Sequence, residues 1–188
     1  MPGLKDNSLV RIVAKDKGEL KDKIRRLEAP LGSYARAEGA ASQECLALYL
    51  SPNPRSLILA NKRLLVEMAT RLADGSAVFN PVSLAMTEVH KALGTKHFVD
   101  FDFDGKGPDE LMPLIKEILP DPRTRRVVRT RGGFHLLVLL KNLDREIANP
   151  GWHRMISALS GCDARGSDSL LPVPGCVQGD YVPMLLEG

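Results

Sequence analysis

Asp100, Asp102 and Asp104 stand at every second position of the stretch from His97 to Gly105. Successive side chains of a β-strand point to opposite faces. A strand here puts the three carboxylates in one row with Phe98 and turns Val99, Phe101 and Phe103 to the reverse. Neighbours in such a row lie roughly 7 Å apart and repel one another, and carboxylates are poor strand formers. A row of this kind either faces water at a solvated edge or gathers cations. The bulky, aromatic reverse face places this strand in a core, which argues against the solvated edge. A hard divalent cation such as Mg²⁺ takes oxygen ligands and is commonly held by one or two carboxylates together with substrate phosphates. Asp100 and Asp102 are the expected ligand pair, and Asp104 is open as a third at the strand end.

A second group of residues suits the other half of such chemistry. Arg125–Thr130 and Phe134–Leu140 read as two strands of a hairpin joined near Gly132 and Gly133. His135 follows the glycines directly. Phosphoryl transfer needs carboxylates for cations, a cationic group for the phosphates, and backbone that approaches an anion closely. Asp100, Asp102 and Asp163 can supply the first. His135 with Arg129 or Arg131 can supply the second. Gly132 and Gly133 can supply the third, because a residue without Cβ lets backbone amides come near.

These residues need elements to hold them. Ser8–Ala14 reads as a short strand and Lys15–Glu28 as a solvated helix, followed by an irregular stretch over Ala29–Gln43. Cys45–Leu50 reads as a buried strand. Ser56 caps a helix that runs to about Leu72 with an apolar stripe, and Arg55 in the preceding turn is placed to meet a phosphate. A helix over Pro81–Leu93 precedes the acidic strand, and one over Asp109–Leu119 follows it. Phe134–Leu140 is apolar on both faces, as a central strand would be. Asn149–Ser160 reads as a helix anchored by Trp152. Gly161–Asp168 reads as a loop with two acids, Asp163 and Asp168, and Cys176–Leu186 as a last extended segment.

With 188 residues the chain can bury a real core. Its 44% hydrophobic and 26% charged content are ordinary for a soluble globular protein. A net charge of +3 permits nucleic acid as a partner. No apolar run approaches the ~20 residues of a membrane span, and the N-terminus has no secretory pattern, so no membrane partner is expected. Cys45, Cys162 and Cys176 are widely spaced, form no Cys-x-x-Cys, and fit a reducing cytoplasm.

The ordered set of motifs resembles the archaeo-eukaryotic primase superfamily, in particular the small primase-polymerases of plasmids, phages and other mobile elements. Phe98-Val99-Asp100-Phe101-Asp102 matches the first motif of that family. Gly133-Phe134-His135, ahead of a hydrophobic strand and preceded by Thr130-Arg131-Gly132, matches the second. Cys162-Asp163, with the Pro174-Gly175 turn after it, matches the third, and Asp168 competes for that place. The resemblance covers roughly Leu46 to Val182. It implies an α+β fold in which an RNA-recognition-like antiparallel sheet carries the acids beside an N-terminal α/β subdomain. The boundaries expected are 1–95 and 96–188 within one catalytic domain, itself a piece of a longer protein.

The resemblance implies two-metal nucleotidyl transfer in DNA replication or repair. Asp100, Asp102 and Asp163 hold Mg²⁺ or Mn²⁺, and His135 contacts the phosphates of the incoming NTP or dNTP. Thr130, Arg131, Gly132, Gly133 and Arg129 are the accompanying nucleotide-binding candidates. Arg55 and Arg125 are the candidates for a single-stranded or primed DNA template. Members often have arginines before the Pro-Gly turn, where this chain has Ser169 and Pro172, and the zinc module common among them is missing. Extension is therefore expected ahead of initiation, with a helicase or C-terminal helper domain as partner. Two rivals are weighed beside it. Phe101-Asp102-Phe103-Asp104-Gly105 resembles the haloacid-dehalogenase phosphatase motif, but nearly a hundred residues precede it and Lys106 follows where Thr or Val is usual. A non-catalytic single-strand-binding module would use the basic run from Arg123 to Arg131 on phosphates alone.

Overall fold

The acidic stretch is a strand, β2 (Phe98–Asp104), and it lies inside a sheet rather than at its rim. In the computed structural model the described residues are 12–34, 48–75, 79–143, 150–167, 170–176 and 181–186; for 28–34 and 164–167 only the backbone is described. The elements before β2 are α1 (Lys17–Tyr34), β1 (Tyr49–Leu50), α2 (Leu57–Ala73) and α3 (Pro81–Lys91). After it come α4 (Pro108–Ile118), β3 (Arg125–Arg129), β4 (Gly133–Leu139), α5 (Trp152–Ser157), β5 (Cys162–Ser167), β6 (Leu171–Pro172) and β7 (Met184–Leu186). The class is α+β, with antiparallel strand pairing throughout.

Five strands form one sheet in the order β5-β2-β4-β3-β7. The run β2-α4-β3-β4-α5-β5 is a β-α-β-β-α-β unit, with β4 inserted between β2 and β3. Phe101, Phe103, Phe134, Leu136, Ile115 and Ile156 are fully buried in the layer between the sheet and the helices. Phe103 and Phe134 stack with centroids 4.6 Å apart, and Trp152 meets Phe101 edge-on at 6.1 Å. This is the apolar reverse of the acidic row, as period-two alternation requires. The hairpin β3–β4 forms as expected, and β4 is buried along nearly its whole length.

By compactness the chain divides into two units: Asn53–His97, and Met1–Pro52 together with Phe98–Gly188. This division differs from the expected boundaries of 1–95 and 96–188. Residues 1–52 group with the sheet because β1 pairs with β6, far away in sequence. The Asn53–His97 unit is helical. Ser56 caps α2 by accepting from the Leu59 amide at 3.2 Å, and Asn80 caps α3. His97 N donates to the Asn53 side chain at 2.8 Å, which ties the ends of this unit together.

Four element readings change. Gly161–Asp168 reads as a loop, yet Cys162–Ser167 is strand β5, paired to β2. α1 continues past Glu28 through Pro30 to Tyr34. Of the expected strand Cys45–Leu50, Tyr49 and Leu50 form β1, while 45–47 lie outside the described residues. The expected strand Ser8–Ala14 is not formed over its described part, 12–14. No described helix is long and apolar enough to cross a membrane.

Candidate functional site

Register decides which side chains share a face. Asp100 pairs with Leu137, Asp102 with His135 and Asp104 with Gly133. His135 therefore stands beside Asp102 on the acidic face. Its Nδ1 lies 3.2 Å from Asp100 Oδ1 and its Nε2 3.5 Å from Asp102 Oδ1. The imidazole bridges the first two acids of the row. Burial opposes its charge, but the hydrogen bond to Asp100, then the charges of Asp100, Asp102 and Asp104, outweigh burial and lift His135 above its ordinary 6.5. Burial likewise raises Asp102 above 3.8; His135 pulls it back, and Asp104, Asp100 and Asp163 add to the rise.

Access grades along the row. Asp100 is fully buried, the Asp102 side chain is 29% exposed, and Asp104 is exposed. At the Asp100 end, Leu171 packs on Val128, Leu137 and Phe98 and roofs the same face of the sheet. At the Asp104 end the row is tied down by backbone. Asp104 N donates to Gly161 O at 2.9 Å and Gly105 N to Gly132 O at 2.8 Å. Gly105 turns the chain out of the strand with φ +68°, which favours glycine. Gly133 is needed for close approach: a Cβ there would lie 1.8 Å from the Phe103 carbonyl oxygen.

Asp100 Oδ2 is buried with no hydrogen-bond partner. Buried charges are normally paired, hydrogen-bonded or bound to metal, and an unmade bond to a charged group is expensive. The oxygen donors of Asp100 and Asp102 suit a hard divalent cation. Among the described residues no group of three or more His, Cys, Asp or Glu side chains is gathered closely enough to hold a metal ion. A cation on this pair would complete its shell with water and phosphate oxygens, as Mg²⁺ commonly does.

The other predicted residues fall out as follows. Thr130 closes the hairpin: its amide donates to Gly133 O at 2.9 Å, and its Oγ1 accepts from Gly133 N at 3.1 Å. Arg131 and Gly132 form the exposed turn next to Asp104. Asp163 sits at a register shift: Asp102 pairs with Ala164 and Phe103 with Cys162, which leaves Asp163 as the extra residue of a bulge. Asp168 lies outside the described residues.

Two arginines are corrected. Arg125 and Arg129 alternate with Val127, which packs in the helix-side core, so both belong to the face opposite the acids. Arg125 is 2% exposed and donates to the Leu119 carbonyl; burial lowers its pKa, against an opposing pull from Asp121. It serves the end of α4 rather than a template. Arg129 is exposed, but on the wrong side for the acidic row. The cation of β3 that shares the acidic face is Arg126, in the row of Leu137 and Asp100. Its Nη1 donates to the Pro122 carbonyl at 3.4 Å and to the Arg125 carbonyl. The sequence reading missed it, and only the register of the hairpin reveals it. Arg55 belongs to the helical unit, where it bridges with Leu93.

Comparison of the sequence with family models gives no match, comparison with curated proteins gives none, and comparison with solved structures gives none.

Proposed function

We propose that this chain is a cation-dependent nucleotidyltransferase of the primase-polymerase kind, which extends a strand on a single-stranded or primed DNA template from NTPs or dNTPs. The observation that carries the reading is the buried, partnerless Oδ2 of Asp100 beside Asp102, with His135 between the two carboxylates. The β-α-β-β-α-β sheet supports it, since this is the connectivity of an RNA-recognition-like platform with the acids on the face opposite α4 and α5.

In this reading Asp100 and Asp102 hold Mg²⁺ or Mn²⁺. Such a cation, when bound, neutralises charge on the transferring phosphate and lowers the pKa of the attacking hydroxyl. His135, buried between the two carboxylates, would turn its Nε2 edge from Asp102 to phosphate oxygens of the incoming nucleotide. The roof over Phe98 and Leu137 leaves the Asp104 end for entry, and the Arg131–Gly132 turn stands there. The 3′-hydroxyl attacks the α-phosphorus, the bond to the bridging oxygen breaks, and pyrophosphate leaves. The third acid is Asp104 or Asp163.

The phosphatase alternative gains nothing from this sheet, because its motif normally opens a Rossmann-like domain and the strands here are antiparallel. The test is extension of a labelled primer with Mn²⁺ and dNTPs or NTPs, wild type beside Asp100→Ala/Asp102→Ala. Extension that the double variant loses supports the reading. Salt-dependent binding of single strands by both proteins without extension leaves a binding module and withdraws it.

A further inference from the structure

Seven residues make nearly two turns of an α-helix, so Ile58, Leu65 and Leu72 recur along one line of α2, with Ala69 between the last two. The three large side chains are 74%, 69% and 63% exposed, and Val66 beside them is 67% exposed. The opposite side of α2 is already occupied. Ala60 is buried, Arg63 Nη1 donates to the Lys91 carbonyl at 3.1 Å, and Arg71 lies 5.6 Å from the Phe79 ring centroid. A contiguous exposed apolar stripe marks a contact surface. We infer that this one joins two copies of the chain, their α2 helices antiparallel about a two-fold axis at Leu65.

Symmetry of the stripe is the first ground. Ile58 and Leu72 stand at equal distances along the helix on either side of Leu65. A two-fold axis there sets Leu65 on its own counterpart and each Ile58 against a Leu72, as a self-complementary interface requires. Charge is the second ground. Lys62 is the charged residue that borders the stripe, while Glu67 and Arg71 pair with each other at 2.7 Å on the occupied side. Antiparallel pairing brings Lys62 level with Met68 of the other copy, along which its aliphatic stem can lie. Parallel pairing in register would set Lys62 beside Lys62 and repel. Helix polarity is the third ground. The first turn of α2 carries no acid of its own. In the antiparallel register the exposed Asp74, which ends α2, comes level with Ser56 at the start of the other copy's α2, where negative charge is favoured.

The test is sedimentation velocity of the full chain across the micromolar range, with circular dichroism as the check on folding. Wild type is expected to pass from monomer to dimer as its concentration rises. Leu65→Glu sets two like charges together on the axis and is expected to weaken the dimer about tenfold or more, the scale of a central contact residue. Val82→Glu alters an equally exposed residue, 69%, on α3 and is expected to shift the dimer constant by less than about threefold. Oxidative cross-linking reads the direction of pairing, against the wild-type background of Cys45, Cys162 and Cys176. Leu65→Cys is expected to link to itself. Ile58→Cys is expected to link to Leu72→Cys in a mixture of the two and not to itself. A wild type that stays monomeric overturns the proposal, as does a dimer that Leu65→Glu leaves intact. Equal losses in Leu65→Glu and Val82→Glu, or Ile58→Cys that links to itself as readily as to Leu72→Cys, overturn it as well.

Discussion

His135 is held by charge, and its protonation is linked to folding. Without a bound cation its folded pKa lies above the 6.5 of the unfolded chain. The stability it contributes is therefore complete below 6.5 and is lost as pH rises through the folded value. Asp102, raised above 3.8 chiefly by burial, adds a loss of the same sign at lower pH. Urea midpoints measured with chelator are thus expected to fall from mildly acidic to mildly alkaline pH, and His135→Gln is expected to flatten the upper part of that slope. A midpoint that rises over this range would contradict the assignment. The acids and His135 were legible in the sequence, because alternation sets one face of β2 and the Gly132-Gly133 turn brings His135 into line. The arginines were not. Val127 and Val128 are adjacent and both apolar, so β3 shows no alternation to say that Arg126 faces the acids and Arg125 and Arg129 do not.

Strands β2 and β4 approach most closely at Gly133. A Cβ at that position meets backbone, the Phe103 carbonyl, and backbone in a central sheet has little freedom to yield. Gly133→Ala is expected to destabilise the protein by about 3 kcal/mol, the upper range for overpacking, read as a lowered denaturation midpoint. Gly132→Ala, whose nearest neighbour is the Asp104 carboxylate at 3.7 Å, is expected to be mild by the same measurement. The hairpin, α2, α3 and α4 were legible from periodicity and caps. β5 was not, because two register shifts in six residues leave Asp163 and Gly166 unpaired and erase the period of two. Pro30 makes α1 look as if it ends at Glu28, although a helix can carry an internal proline, as α4 does at Pro113.

Burial is unevenly shared over the whole molecule. The sheet unit encloses Phe101, Phe103, Phe134, Leu136, Ile115 and Ile156, while the Asn53–His97 unit buries Ala60, Leu84 and Ala92 as the apolar ones among its described residues. Opening free energies follow buried apolar contact. Amides of α2 and α3 are expected to exchange with deuterium well before those of β2 and β4, and equal protection would show that the two units open together. This division was hidden from a reading along the chain, since the pairing of β1 with β6 joins residues more than a hundred positions apart. The bulged strand β5 also has a bearing on self-association. It is one rim of the sheet, and an exposed rim is a template on which further chains can add strands. Its twice-interrupted ladder offers an incoming strand no continuous run of amides and carbonyls, and the opposite rim, β7, has only three residues to offer. The acidic face is thereby bordered by an edge whose interrupted ladder is poorly suited to strand addition.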